Sequence, residues 1–199
     1  MNYLAHLALS HFDPDVMLGN FIGDCVKGSD YERYSPRVRM GLLLHRQIDY
    51  FTDTHAIAKE TSDYFRPLYR HYAGILCDMT YDHFLAANWI EVYPNIELHR
   101  FVAKAQKVLL INYFRMPGKM RKLLPFLIKS RRLEDYSTTE GLGRALSVMT
   151  RNTSLPDHTK EAVKIVKANY DTIRQQFFAF YKELQTMVDN KLRDVPIRI

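Results

Sequence analysis

Acidic and imidazole side chains recur at helical spacing through the first 90 residues, on stretches that are otherwise apolar, and this pattern constrains the chain most. They sit in LGNFIGDCVKG (Asp24), LLLHRQIDYFTD (His45, Asp49, Asp53) and LCDMTYDHFLAANW (Asp78, Asp82, His83). A carboxylate is costly to bury unless it is paired, hydrogen-bonded or bound to a cation. Several of them arriving from separate helices predict a metal site, and with it a hydrolytic enzyme.

No stretch alternates with the two-residue period of a half-buried strand, whereas apolar residues return every three or four positions. Helices are predicted over 2–10 and over 14–27, with Asp13-Pro14 as the start signal and Gly28 as the stop. Others open at Pro36 and at Pro67, the latter running through Trp89, and cover 97–113, 118–131 and 138–151. Ser137 and Glu140 have capping-box spacing. After Pro156 one long helix carries Val166, Tyr170, Ile173, Phe177, Phe180, Leu184 and Val188 on a single stripe. The expected fold class is all-α, a single-domain helical bundle over residues 1–199.

The composition, 47% hydrophobic and 25% charged, fits an ordinary globular core. No apolar run reaches the roughly 18 residues a membrane span needs, and the first residues lack the features of a signal peptide. Cys25 and Cys77 lie in apolar helical stretches and read as reduced thiols. A cytoplasmic protein with no membrane partner is expected. The net charge of +6 is uneven: residues 98–133 hold ten basic side chains and no acidic one. That segment, with Lys119, Arg121 and Lys122 at its centre, is expected to meet an anionic partner.

On a helix, Asp78 and Asp82 stand one turn apart on one face, and His45, Asp49 and Asp53 form a similar ladder. Asn20 is one turn before Asp24, and His6 lies on the first helix. An oxygen-rich site with one or two imidazoles suits Mg²⁺ or Mn²⁺. Such an ion polarises a phosphoryl oxygen and lowers the pKa of a bound water. Arg46, beside His45, is the nearest candidate to stabilise charge on the phosphoryl oxygens. His6, Asn20 and Asp49 are expected as supporting groups that orient the ligands. There is no nucleophile elbow and no glycine-rich phosphate loop, and spacing alone leads to an all-α divalent-metal hydrolase with an anionic partner.

The successive motifs MNYLAHLALS, LGNFIGDCVKG, GLLLHRQIDYFTDTH and FRPLYRHYAGILCDMTYDHFLAANW resemble those of the acyl carrier protein phosphodiesterase family, densely over residues 1–90 and more loosely beyond. The resemblance implies hydrolysis of the phosphodiester between 4′-phosphopantetheine and a serine of holo-acyl carrier protein, with Mn²⁺ or Mg²⁺ as cofactor. It also implies a distant kinship with the helical HD-domain phosphohydrolases. Carried over by position, Asp24, His45, Asp78 and Asp82 are expected to hold the ion, with Asp24 essential and His83 protonating the serine leaving group. The chain has no His-Asp dipeptide; its adjacent pair, Asp82-His83, runs in the reverse order. Acyl carrier protein is small and acidic, which would suit the basic 98–133 segment. Two other readings share some of these features. One is an HD-type hydrolase of a nucleotide or other small phosphodiester. The other is a non-catalytic helical module that binds acyl carrier protein or, less favoured, nucleic acid.

Overall fold

The computed structural model describes residues 1–193, and among them every regular element is helical. The all-α expectation therefore holds. The chain runs through α1 (Tyr3–Ala8), α2 (Pro14–Ile22), α3 (Pro36–Thr54), α4 (Ala56–Asp63), α5 (Arg66–Tyr69), α6 (Ala73–Ala87) and α7 (Trp89–Val92). It continues through α8 (Leu98–Ile111), α9 (Gly118–Lys129), α10 (Arg132–Asp135), α11 (Thr139–Asn152), α12 (Thr159–Ala168) and α13 (Tyr170–Arg193). No helix among the described residues is long and apolar enough to cross a membrane.

The centre is α6, buried on almost every side and packed against α1, α4, α11 and α13. Tyr81 and Phe84 of α6 meet Phe177 and Phe180 of α13 with ring centroids 5.0–6.2 Å apart. These aromatics supply much of the apolar area that holds the bundle together. The α13 stripe expected from the sequence is buried at Ile173, Phe177, Phe180, Leu184 and Val188.

The closest packing joins α2 to α3 through glycine. A Cβ on Gly19 would stand 2.1 Å from the Val38 carbonyl oxygen, and one on Gly41 would stand 2.1 Å from that of Val16. The contacts advance together along both helices, so that one turn beyond the Gly19–Gly41 contact Gly23 meets His45. Asp13 caps α2 by accepting from the amides of Asp15 and Val16, with Pro14 in the first turn, as the sequence signals.

Four boundaries differ from expectation. The helix expected to continue from Pro67 is broken at Arg70, which holds φ +48°, so α6 opens only at Ala73. The long C-terminal helix divides at Asn169, whose side chain donates back to the Ile165 carbonyl and whose own carbonyl accepts from Ile173 as α13 starts. Thr138, not Ser137, caps α11, accepting from the Gly141 amide at 3.0 Å. The second helix likewise stops at Ile22, and a 3₁₀ turn over Gly23–Cys25 presents Asp24. Both cysteines are free, Cys77 buried and Cys25 half-buried.

Candidate active site

The residues of the α2–α3 pair, α1 and α6 converge on a cavity of about 480 Å³. His6, Asp24, His45, Asp49, Asp53 and Asp78 all line it. One atom each from His6, His45 and Asp49 lie within 4.8 Å of one another, a spacing that could hold a metal ion. The two imidazoles stack with centroids 4.1 Å apart. Asp49 reaches both, with Oδ1 3.1 Å from His6 Nε2 and Oδ2 3.1 Å from His45 Nε2. Asp24 Oδ1 stands 3.5 Å from His45 Nε2.

One residue, Asn20, orients both rings. His6 Nδ1 donates to the Asn20 side-chain oxygen at 2.7 Å, and His45 Nδ1 donates to the Asn20 backbone carbonyl at 2.8 Å. The Asn20 amide cannot flip without loss, because its nitrogen donates to the His6 carbonyl and to Ser10 Oγ. Each ring is therefore held with Nε2 turned toward Asp49. Gly23 completes the arrangement, since a Cβ there would stand 2.2 Å from the His45 ring.

The electrostatics follow from this crowding. Burial, reinforced by the neighbouring His45 ring, pushes His6 below the ordinary imidazole range despite Asp49. Burial also opposes charge on His45, but Asp24 and Asp49 outweigh it and raise the imidazole to about 9. Burial would raise Asp49, yet the two histidines hold it well below the usual carboxylate range. His45 likewise lowers Asp24, against its own burial. A neutral His6 with Nδ1 protonated turns its Nε2 lone pair on Asp49 Oδ1 and on the Met1 carbonyl at 3.2 Å. His45 Nε2 is buried without an aligned hydrogen-bond partner. The His6 lone pair facing these oxygens repels them unless a cation lies between. Among the described residues no Lys or Arg lines the cavity, and this donor set is one a hard or borderline divalent ion accepts.

Opposite this cluster, Asp78 Oδ1 is paired at 2.9 Å with the buried α-ammonium of Met1. Burial opposes the ammonium charge, and Asp78 and Asp49 overcome it, so its pKa is raised. Asp53 is pushed up by burial and by Asp78. Asn2 and Tyr3 form part of the wall, and Met149, Thr153, Ser154 and Leu155 close the far side from the end of α11. Ser154 is held there by a 2.8 Å hydrogen bond with Tyr72.

Three expected positions lie elsewhere. Asp82 does not reach the cavity: its fully buried carboxylate accepts from the amides of Asn2, Leu4 and Ala5 at 3.2, 2.8 and 3.3 Å. It caps α1 from α6, and burial pushes it up to about 7 against those three donors. His83, one residue on, points about 100° away and donates to the Tyr136 carbonyl at 2.7 Å. Burial lowers its pKa, so it stays neutral and outside the cavity. Arg46 donates to the carbonyls of Val26 and Gly28 and lies over the Tyr31 ring, pinning the loop that follows Asp24. Lys119 and Lys122 are exposed and Arg121 half-buried on the first turns of α9.

His6 and Asp49, read from the sequence as supporting groups, stand at the centre. The pattern that could have found them is the His45–Asp49 step of one turn, together with Gly23 leaving room for a ring. The contribution of residues 149–155 carries no sequence signal, because none of those side chains is an acid or an imidazole.

Residues 1–184 match the family described as acyl carrier protein phosphodiesterase. The acyl carrier protein phosphodiesterase of Klebsiella pneumoniae (strain 342) is 31% identical over 96% of this chain and 99% of its own. The protein of that name from Yersinia enterocolitica is also 31% identical over the same shares, as is that of Salmonella paratyphi A. No solved structure matches the chain.

Proposed function

Since the chain belongs to the acyl carrier protein phosphodiesterase family, we propose that it is a metal-dependent hydrolase that removes 4′-phosphopantetheine from the serine of holo-acyl carrier protein. The observation that carries the metal reading is the meeting of His6, His45 and Asp49 in a carboxylate-lined cavity that, among the described residues, has no Lys or Arg. An anionic phosphodiester would be repelled by Asp24 and Asp49 unless cations intervened. His6, His45 and Asp49 would hold the ion, with Asp24 3.5 Å from His45 beside them, and two imidazoles with carboxylates would suit Mn²⁺ or Mg²⁺. A bound divalent ion supplies Lewis acidity to the phosphoryl group and lowers the pKa of a coordinated water.

The chain's own residues supply the rest. Asn20 keeps both Nε2 atoms directed inward without adjustment during turnover. Asp53, whose pKa is raised, is the carboxyl best suited to carry a proton to the departing serine oxygen. His83, which donates to the Tyr136 carbonyl, is not given that role in this proposal.

The test is incubation of purified protein with holo-acyl carrier protein and Mn²⁺, read by intact mass of the carrier. Loss of the phosphopantetheine mass, blocked by EDTA, is expected. An unchanged carrier with either divalent ion would defeat this reading, and hydrolysis of small phosphodiesters alone would favour the small-substrate hydrolase instead.

A further inference from the structure

A second cavity, of about 710 Å³, lies across α11 from the first. Its floor is apolar, made by Phe126, Ala145, Val148 and Val163. Its rim carries Arg132, Arg144, Arg151, Lys160 and Lys164, against, among the described residues, the one acid Asp135. Arg144 already engages Asp135 at 2.8 Å. Among the described residues, the other four cations make no ion pair. Arg132 lies over the Phe126 ring with 5.2 Å to its centroid, so its charge sits at the edge of the floor.

The groove adjoins the proposed catalytic cavity. Met149 of α11 lines the first cavity, whereas Val148 and Arg151, on the other face of the same turn, line the second. Arg132 is also near enough for its charge to act on the phenol of Tyr3, which belongs to the first cavity wall. An object seated in the groove is thus about one helix diameter, ~10 Å, from the catalytic opening.

Resting on the function proposed above, we infer that the α11–α12 groove is where an acidic, amphipathic helix of the protein substrate docks. An apolar floor bordered by separated cations complements a helix with an apolar stripe flanked by carboxylates. A small anion would instead require cations converging on one point. The groove edge formed by α12 is ten residues long, so it is about 15 Å in extent, or close to three turns of a docked helix. Unpaired rim charges also steer encounter and fix orientation, which would bring the modified serine toward the α11 end of the first cavity. This places docking on α11 and α12, away from Lys119, Arg121 and Lys122 of α9.

The decisive experiment uses the full chain loaded with Mn²⁺, fluorescently labelled holo-acyl carrier protein, and the variants R151E/K160E/K164E, K160Q/K164Q and K119E/R121E/K122E. Binding is read by anisotropy and turnover by carrier mass. The groove triple variant is expected to raise both Kd and KM about tenfold or more, with kcat changed less than about twofold and helical circular dichroism intact. The glutamine pair should fall between it and the unaltered protein. Unaltered Kd and KM in the groove variants, or a loss confined to the α9 variant, would overturn the docking and leave the hydrolase reading standing. Groove-dependent binding without hydrolysis would overturn the hydrolase reading and keep the docking. An oligonucleotide bound as tightly as the carrier, and lost with the same substitutions, would make the groove a nucleic-acid surface and overturn the proposal.

Discussion

Asp49 and Asp82 are both aspartates on apolar helices one turn from another acid or imidazole, yet their surroundings assign them opposite work. Asp49 faces two Nε2 atoms at 3.1 Å, whereas Asp82 faces three backbone amides at the start of α1. Asp49→Ala should lower hydrolysis by at least about a hundredfold and abolish Mn²⁺ binding measured by calorimetry, leaving the fold intact. Asp82→Ala should retain the metal donors but leave buried amides unpaired, at a cost of about 3 kcal/mol or more in urea unfolding. Equal stability losses in the two variants would contradict the division. The Asp24–His45–Asp49 cluster also sets a pH dependence in chelator-treated protein. His45 rises from 6.5 to about 9 on folding, so its contribution is complete below about pH 6.5 and lost as pH climbs through 9. It amounts to about 3 kcal/mol at most. Thermal melts of the metal-free protein should therefore fall between about pH 6 and pH 9.5, and the fall should shrink in His45→Gln.

At the scale of elements, the site depends on how closely α2 and α3 approach. A methyl at Gly41 gains roughly 1 kcal/mol of helix propensity, but it would stand 2.1 Å from the Val16 carbonyl, a backbone atom that cannot turn aside. The clash outweighs the gain, and Gly41→Ala should destabilise by about 1–3 kcal/mol while separating Asn20 from His45. Gly23 differs. Its φ of −53° suits alanine, and what the methyl would strike is the His45 side chain, its ring Cγ at 2.2 Å and its Cβ at 2.7 Å. Gly23→Ala should therefore shift the whole His45 side chain, lowering the melting temperature and weakening Mn²⁺ binding about 10–100-fold through a displaced imidazole. An unchanged Mn²⁺ affinity in Gly23→Ala would show that this contact does not set the position of the His45 ring. The same contrast explains what the sequence made legible. The α2 start is local chemistry, with Asp13 and Pro14 adjacent to the amides they serve, and periodicity suffices for the α13 stripe. The break at Arg70 and the division at Asn169 are not written in periodicity, because apolar residues continue in register across both.

Across the whole molecule, the donors that decide each carboxylate's role are distant in sequence. Asp82 meets amides about 80 positions away, and the second cavity joins α9 and α10 to α11 and α12. Residue type and spacing could therefore identify His45, Asp24 and Asp78 as candidates for one cavity without revealing that Asp82 faces elsewhere. The overall charge pattern was partly legible: net +6 is a property of the sequence, but which cations remain unpaired beside an apolar floor depends on the fold. That pattern separates an acidic cavity from basic outer surfaces, and the separation has a kinetic consequence. A large acidic substrate is steered by the outer charges, which salt screens over about 8 Å at physiological ionic strength. A small phosphodiester meets chiefly the cavity, where charges are partly buried and screened less. Raising salt from about 50 to about 200 mM should thus depress kcat/KM for holo-acyl carrier protein several-fold, through KM, and change kcat/KM for a small chromogenic diester less than about twofold. Parallel salt dependence for both substrates would mean that the outer cations do not guide the carrier, and that recognition is completed inside the cavity.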